Sequence, residues 1–225
     1  MAVERWCLRL RTGLSAVDQP FPELPAGAFE KADPSPDTRF YAQARLVTHI
    51  DDDAIAAVTA LYRDVLPAGG SVLDLMSSWV SHLPEDIAYS EVIGHGMNAS
   101  ELAANPRLGR WFVQDLNADP ALPLPPASVD AACLCASVQY LQRPAEVFTS
   151  LASVLRLGAP VAITFSNRCF PTKAVAIWQA LDGPDQCRLV ELYLRRAGFP
   201  LVESRMLRDG RRSDPLWAVI GRTAA

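Results

Sequence analysis

The sequence contains no Cys-x-x-Cys pair, and its five cysteines are an odd number. Neither fact suits a disulfide framework, and the chain reads as cytoplasmic. Cys133 and Cys135 stand at strand spacing in an apolar run, as two small hydrophobes of a buried strand. No apolar run reaches the ~20 residues of a membrane-spanning helix. The opening residues, MAVERWCLRLRTG, lack the apolar segment of a secretory signal. Their arginines, without a long acidic run, leave a transit peptide open. An excess of basic residues is also missing. Twenty-one Lys and Arg face 25 Asp and Glu, for a net charge of -4. Nucleic-acid binding through the phosphate backbone is therefore disfavoured. His49, His82 and His95 show no metal-ligand spacing. Ser77-Ser78-Trp79 lacks the G-x-S-x-G elbow of a serine hydrolase. No internal repeat is visible.

What is present is a globular composition, 50% apolar and 20% charged over 225 residues. A chain of this length forms one domain, with or without a small appendage, and buries roughly 70% of its unfolded surface. Residues 1–50 read as an irregular N-terminal arm or lid, because Pro20, Pro22, Pro25, Pro34 and Pro36 break any long helix. Residues 51–225 read as the main domain. Asp51–Asp53 caps a helix carrying Ile55, Val58, Tyr62 and Val65, and Pro67 with Gly69-Gly70 ends it.

Strands and helices then alternate. Strands are expected at Ser71–Met76, Tyr89–Ile93, Trp111–Val113, Val129–Val138 and Pro160–Phe165. The fourth is apolar nearly throughout, as a strand covered on both faces should be. Asn98-Ala99-Ser100-Glu101 fits a capping box opening a short helix. Further helices are expected from Pro144, over Pro171–Leu181 and over Gln186–Ala197. The last two strands, Phe199–Leu207 and Leu216–Ile220, are joined by RDGRRSDP, too short for a crossover helix, so they should pair antiparallel. The whole is an α/β fold: a Rossmann-like, doubly wound, seven-stranded sheet, mostly parallel with an antiparallel C-terminal strand. Ligands of such sheets bind beyond the carboxyl ends of the strands.

Those ends carry an ordered set of residues. It runs Val72-Leu73-Asp74-Leu75, then Gly94-x-Gly96-x-Asn98, then Gln114-Asp115 before Leu122-Pro123-Leu124-Pro125. Ser128-Val129-Asp130, Val138-Gln139-Tyr140-Leu141 and Val154-Leu155-Arg156-Leu157-Gly158 follow. Over residues 55–222 the chain resembles the class I S-adenosylmethionine-dependent methyltransferases, most closely the small-molecule group called type 11. The resemblance implies methyl transfer from S-adenosylmethionine to a small-molecule acceptor, with no nucleic-acid or membrane partner. It leaves the acceptor and the oligomeric state open.

By the same resemblance the cofactor would be held by Asp74, Met76, Ser77, Ser78, Gly96, Met97, Asn98, Asp115, Leu116, Ser137 and Tyr140. Asp74 would accept from the ammonium, with helix N-terminal amides after the first strand on the carboxylate, and Asp115 would touch the adenine amine. The chain departs from the family in two places. Met76, Ser78 and Val80 stand at the glycine positions of the first loop, and the ribose-gripping acid of the second strand falls on Gly96. The arm and the loop after the fifth strand usually form the acceptor pocket, which makes Tyr41, His49, Asn167 and Arg168 candidates for catalysis. Arg168 with Lys173 would suit an anionic acceptor.

These residues also have structural readings. Ser77 and Ser78 suit a helix cap, Asp115 a turn before Asn117, and Trp79 and Tyr140 core packing. Two other functions remain in play. The lost glycines suit a methyltransferase-like scaffold that binds without catalysis. Gly94-His95-Gly96-Met97-Asn98-Ala99 fits the G-x-G-x-x-A fingerprint of a nicotinamide site, with Asp115 about twenty residues on.

Overall fold

A computed structural model describes residues 20–225. The first nineteen residues of the expected arm lie outside the described residues. A short helix α1 (Asp37–Phe40) precedes α2 (Asp52–Val65), and the sheet begins at β1 (Ser71–Asp74). Then come β2 (Glu91–Gly96), α3 (Ala99–Ala104), β3 (Arg110–Val113), β4 (Ala131–Cys135), α4 (Pro144–Val154) and β5 (Pro160–Ser166). The chain closes with α5 (Ala176–Ala180), α6 (Gly183–Arg196), β6 (Leu201–Arg208) and β7 (Leu216–Arg222).

The seven strands lie in the order β3-β2-β1-β4-β5-β7-β6. Only β7 runs against its neighbours, β5 and β6. β1 and β4, adjacent at the switch in strand order, are almost wholly buried. The apolar stripe of α2 (Ala54, Val58, Leu61, Tyr62 and Val65) packs on one face of the sheet. On the other, α4 and α6 bury Val147, Phe148, Leu151, Val190 and Tyr193. Asp51 caps α2 by accepting from the Ala54 amide at 2.9 Å.

Five sequence expectations shift, each for a local reason. The first strand stops at Asp74, short of Met76, because Met76 turns to φ 58. The second strand runs on to Gly96, because His95 and Gly96 pair with Phe112 and Val113 of β3. The fourth stops at Cys135, because Ala136 turns to φ 51; Val138–Tyr140 is a 3-10 turn. The helix expected over Pro171–Leu181 is confined to Ala176–Ala180. Val175 is extended and bridged to Lys31, and the Ala176 and Ile177 amides donate to the carbonyls of Glu30 and Ala28. The last long helix starts early, at Gly183, with Asp182 as its cap. A side chain at Gly183 would overlap the Trp217 ring.

Phe21 and Phe29 pack on Tyr193 of α6, and the stretch from Asp37 to Ile50 reaches the carboxyl ends of the strands. The anchor is Lys173, whose side chain is 0% exposed. Its ammonium donates to the Ser35 carbonyl at 2.7 Å and pairs with Asp33 at 3.1 Å and Asp37 at 3.3 Å. Asp37 also pairs with Lys31 and accepts from Asn117 Nδ2 at 2.9 Å. Lys173 is therefore a structural pin and does not face the cavity described below, contrary to the anionic-acceptor role given it with Arg168. Burying an ammonium is tolerable only with such partners.

Removing Lys173 leaves Asp37 short of charge compensation. Lys173→Ala is expected to destabilise the protein by about 3–5 kcal/mol. Hydrogen exchange should quicken first over residues 27–50, with the strands still protected; an unchanged arm would show that Lys31 alone suffices.

Candidate functional site

A cavity of about 520 Å³ opens at the carboxyl ends of β1, β2 and β4. That volume lies within the usual span of small-molecule sites. Every cofactor and catalytic candidate named from the sequence lines it. The cofactor candidates are Asp74, Met76, Ser77, Ser78, Gly96, Met97, Asn98, Asp115, Leu116, Ser137 and Tyr140. The catalytic candidates are Tyr41, His49, Asn167 and Arg168. Arg45, His82, Glu101, Ala136 and Phe170 line it too. They went unrecognised as site residues because nothing in their spacing places them beside the strand ends.

No helix follows β1. Residues 77–90 are irregular, so neither a helix N-terminus for a carboxylate nor a helix for Ser77 and Ser78 to cap exists here. The chain instead passes over the end of β2. The Met76 amide donates to His95 Nδ1 at 3.0 Å, and the Ser77 amide to the His95 carbonyl at 2.6 Å. His95 Nε2 lies 3.0 Å from the Gln114 carbonyl, which can only accept. His95 is therefore the neutral Nε2–H tautomer. Burial holds its pKa down at about 4.

This crossing explains both departures from the methyltransferase pattern. Met76 has φ 58, so the first glycine position keeps a glycine-like backbone without glycine, while Ser78 is not left-handed. A Cβ on Gly96 would stand 2.5 Å from the Ser77 carbonyl oxygen. The acid of the second strand is absent because the crossing loop fills its place. Gly94 is likewise filled, by Leu108. Both glycines lie within β2, so they form no phosphate-binding turn, and the nicotinamide fingerprint loses its structural basis.

Asp74 ends β1, 4% exposed, and accepts from Ser77 Oγ at 2.6 Å. Burial raises its pKa to about 6, against the pull of hydrogen bonds from Ser77, Ser81 and Cys133. Ser78 Oγ donates to Glu101 Oε2 at 2.7 Å, and the Arg45 amide donates to Glu101 Oε1 at 2.7 Å. Glu101 thus leaves the capping box half-formed, joining the arm to the crossing loop instead of returning to the Asn98 amide. Asn98 caps α3 through Oδ1, and its Nδ2 donates to the Tyr41 and Ala42 carbonyls, so its polar atoms hold the site together from within. Asp115 Oδ1 accepts from the Asn117 amide at 2.9 Å in a local turn, and Trp79 Nε1 donates to the Val47 carbonyl at 3.0 Å.

Ser137 Oγ is buried at the cavity wall without a hydrogen-bond partner among the described residues. Tyr140 accepts the Phe170 amide at 2.9 Å, and burial pushes its phenol up to about 12. Burial raises the Tyr41 phenol further and lowers His49 and His82, the latter to about 4. At neutral pH these groups are uncharged. Met76, His82 and Ala136, all left-handed, share the cavity wall. Such residues cost of order 1–3 kcal/mol each and gather at functional sites. Among the described residues no cluster of three His, Cys, Asp or Glu is arranged for a metal ion, and no helix is long and apolar enough to cross a membrane.

No protein-family model and no curated protein matches the chain. Solved structures do match in fold. A chain of the Haloferax volcanii complex containing the Trm112 methyltransferase activator superposes with a TM-score of 0.59 at 14% identity, over 77% of this chain and 91% of that one. Haemonchus contortus phosphoethanolamine N-methyltransferase 2, solved with S-adenosyl-L-methionine, gives 0.56 at 13% identity, over 76% of this chain and 52% of that one. This chain thus spans about half of that enzyme. The [4+2]-cyclase SpnF gives 0.56 at 15% identity, over 75% and 80% of the two chains. The fold is that of the class I S-adenosylmethionine-dependent methyltransferases.

Two outcomes follow from the crossing loop. Gly96→Ala should cost about 1–3 kcal/mol by overpacking against the Ser77 carbonyl; calorimetric unfolding showing wild-type stability would mean that the loop has moved aside. His95 is neutral when folded, whereas the unfolded imidazole takes a proton below about 6.5. Its contribution to stability is therefore complete above pH 6.5 and is lost as pH falls toward 4. Asp74, whose pKa is raised, acts in the opposite sense between about pH 3.8 and 6. Against the wild type, His95→Phe should show a lower midpoint at pH 7.5, by loss of two hydrogen bonds, and a smaller further fall between pH 6.5 and 4.

Proposed function

We propose that this protein is an S-adenosylmethionine-dependent methyltransferase acting on a small-molecule acceptor, and that the cavity at the ends of β1, β2 and β4 holds both. The observation that carries the reading is the convergence there of Asp74, Asp115 and the unpartnered Ser137 hydroxyl. A buried hydroxyl without a partner demands an explanation, and a ligand polar group supplies one.

In this reading Asp74 accepts from the cofactor's ammonium, and the incoming cation holds its carboxyl ionised. Asp115 accepts from the adenine amine through the oxygen its turn leaves free. Glu101, fixed by Ser78, takes the ribose-hydroxyl role that Gly96 cannot. Ser137 and the Leu116 backbone complete the cofactor half. When bound, the cofactor supplies an electrophilic methyl group on sulfur. The protein's share is to align the acceptor and exclude water, with residues 37–50 as the cover over the acceptor half. His49 is neutral at pH 7 and is the group best suited to take a proton from an acidic acceptor. The four described cysteines are free thiols, in keeping with a reducing, cytoplasmic setting.

A second reading keeps the fold and drops the methyl transfer. The bulky first loop, the missing ribose acid and a cyclase among the fold's relatives favour it. Calorimetry decides between them. S-adenosylmethionine at 100 times its dissociation constant should stabilise the protein by about 2.7 kcal/mol. Asp115→Ala should weaken binding about tenfold or more, by loss of a charge-assisted hydrogen bond. Asp74→Asn should also abolish tight binding, yet stabilise the free protein above pH 6, where the buried carboxylate costs up to about 3 kcal/mol. Millimolar cofactor giving neither heat nor thermal shift would leave the non-catalytic reading standing.

A further inference from the structure

The acceptor half of the cavity carries a cation whose surroundings narrow the substrate class. Arg45 and Arg168 both line the cavity. Arg168 is already paired, through Nε to Asp214 at 2.9 Å, and its side chain is 62% exposed. Arg45 has no carboxylate partner among the described residues. Its one side-chain hydrogen bond is from Nη2 to the Phe40 carbonyl at 3.0 Å.

The guanidinium is nevertheless held in place. Its carbon lies 4.6 Å from the Phe40 ring centroid, 5.5 Å from Phe170 and 6.0 Å from Tyr41. Those rings brace one another, Phe40 lying 4.9 Å from Tyr41 and 5.2 Å from Phe170 in edge-on contacts. His49 and Tyr140 pack on Phe170 in turn. The rings offer the guanidinium no acceptor oxygen from a carboxylate, and of its five N–H donors only one, on Nη2, is taken, by the Phe40 carbonyl. Neither nearby carboxylate pairs with the guanidinium: Asp37 is paired with Lys31 and Lys173, and Glu101 is turned toward Ser78 and the Arg45 backbone amide.

We infer that Arg45 is the anchor for an anionic acceptor, one carrying a carboxylate or phosphate beside an apolar or aromatic body. A planar fork of donors matches either anion in two parallel hydrogen bonds, and aromatic walls strengthen the pairing by excluding water. The same walls take the body of the acceptor, and a cationic acceptor would be repelled. The inference rests on the methyltransferase reading for the word acceptor; the anion site itself does not.

The test uses the full chain with benzoate, phenyl phosphate, benzyl alcohol and benzylamine as probes. Each is titrated calorimetrically with and without saturating S-adenosylhomocysteine. At least one of the two anions should bind, with the stronger identifying carboxylate or phosphate as the preferred group, and benzylamine should not. Arg45→Gln should weaken that binding tenfold or more, with an unchanged ligand-free unfolding midpoint as the sign of an intact fold. Arg45→Lys, which keeps the charge and loses the fork, should fall between. Equal binding of the amine or alcohol, no binding of either anion, or anion affinity untouched in both variants would overturn the proposal. If S-adenosylhomocysteine binds and the anions do not, this inference alone falls. If the anions bind through Arg45 and S-adenosylhomocysteine does not, the anion site stands and the methyltransferase reading falls.

Discussion

The passage of Met76 and Ser77 over the end of β2 is the constraint on which the rest of the site depends. Two backbone amides that would be unsatisfied after a strand are taken up by one histidine, through its ring nitrogen and its carbonyl. The ring's other nitrogen donates to the Gln114 carbonyl, so the loops after β1 and β3 share a single side chain. The crossing needs a residue without a side chain beneath it, and Gly96 is that residue. It also needs a left-handed backbone at Met76. With these met, the chain dispenses with a helix after β1. The segment up to β2 is then held by side chains of its neighbours: Asn105 Nδ2 donates to the Ser78 carbonyl and Ser81, Thr59 donates to the His82 carbonyl, and Arg107 donates to the carbonyls of Pro84 and Ile87.

The second dependency runs through charge. Lys173 arrives from the turn after β5 and is buried under the arm, where Asp33, Asp37 and the Ser35 carbonyl receive it. A buried pair of this kind is weak evidence for stability but strong evidence for a fixed arrangement, since breaking it strands a charge. Asp37 passes the constraint to Asn117, which donates to the Tyr140 carbonyl and accepts the Gln142 amide. Arm, third-strand loop and fourth-strand turn therefore meet at one carboxylate. From there the α1 segment carries Tyr41 and Arg45 to the cavity, while Glu101 and Asn98 receive the arm's backbone from the opposite side.

The two halves of the cavity differ in kind as a result. The ends of β1, β3 and β4 offer Asp74, Asp115 and the spare Ser137 hydroxyl, which suit a molecule rich in donors and positive charge. The half beneath the arm offers stacked rings and one guanidinium. Tyr41, His49 and Tyr140 also line the cavity, and desolvation shifts each toward its uncharged form. A chain can hold such unlike surfaces in one cavity because each is assembled from separate loops, braced on the same set of strand ends.

Much of this was legible in the order of residues. Alternating apolar runs, the Asp51 cap and the short final connection suffice for the sheet, its direction and its closing hairpin, because period and capping act over a few residues. The positions of Asp74, Asp115 and Ser137 at one cavity follow from that topology, since parallel strands deliver their carboxyl ends to the same side. What only the tertiary structure decided depends on residues far apart in the chain. Lys173 reads as a partner of Arg168 for an anionic acceptor until Ser35 and Asp37 close over it. Arg45 has no motif, and its value comes from rings at 40, 41 and 170. Gly96 looks like a lost acid until the carbonyl of Ser77 is seen lying where that side chain would be. Local pattern fixes which elements form, whereas burial and partnership, which give a titratable or charged side chain its chemistry, are set by contacts that spacing along the chain does not encode.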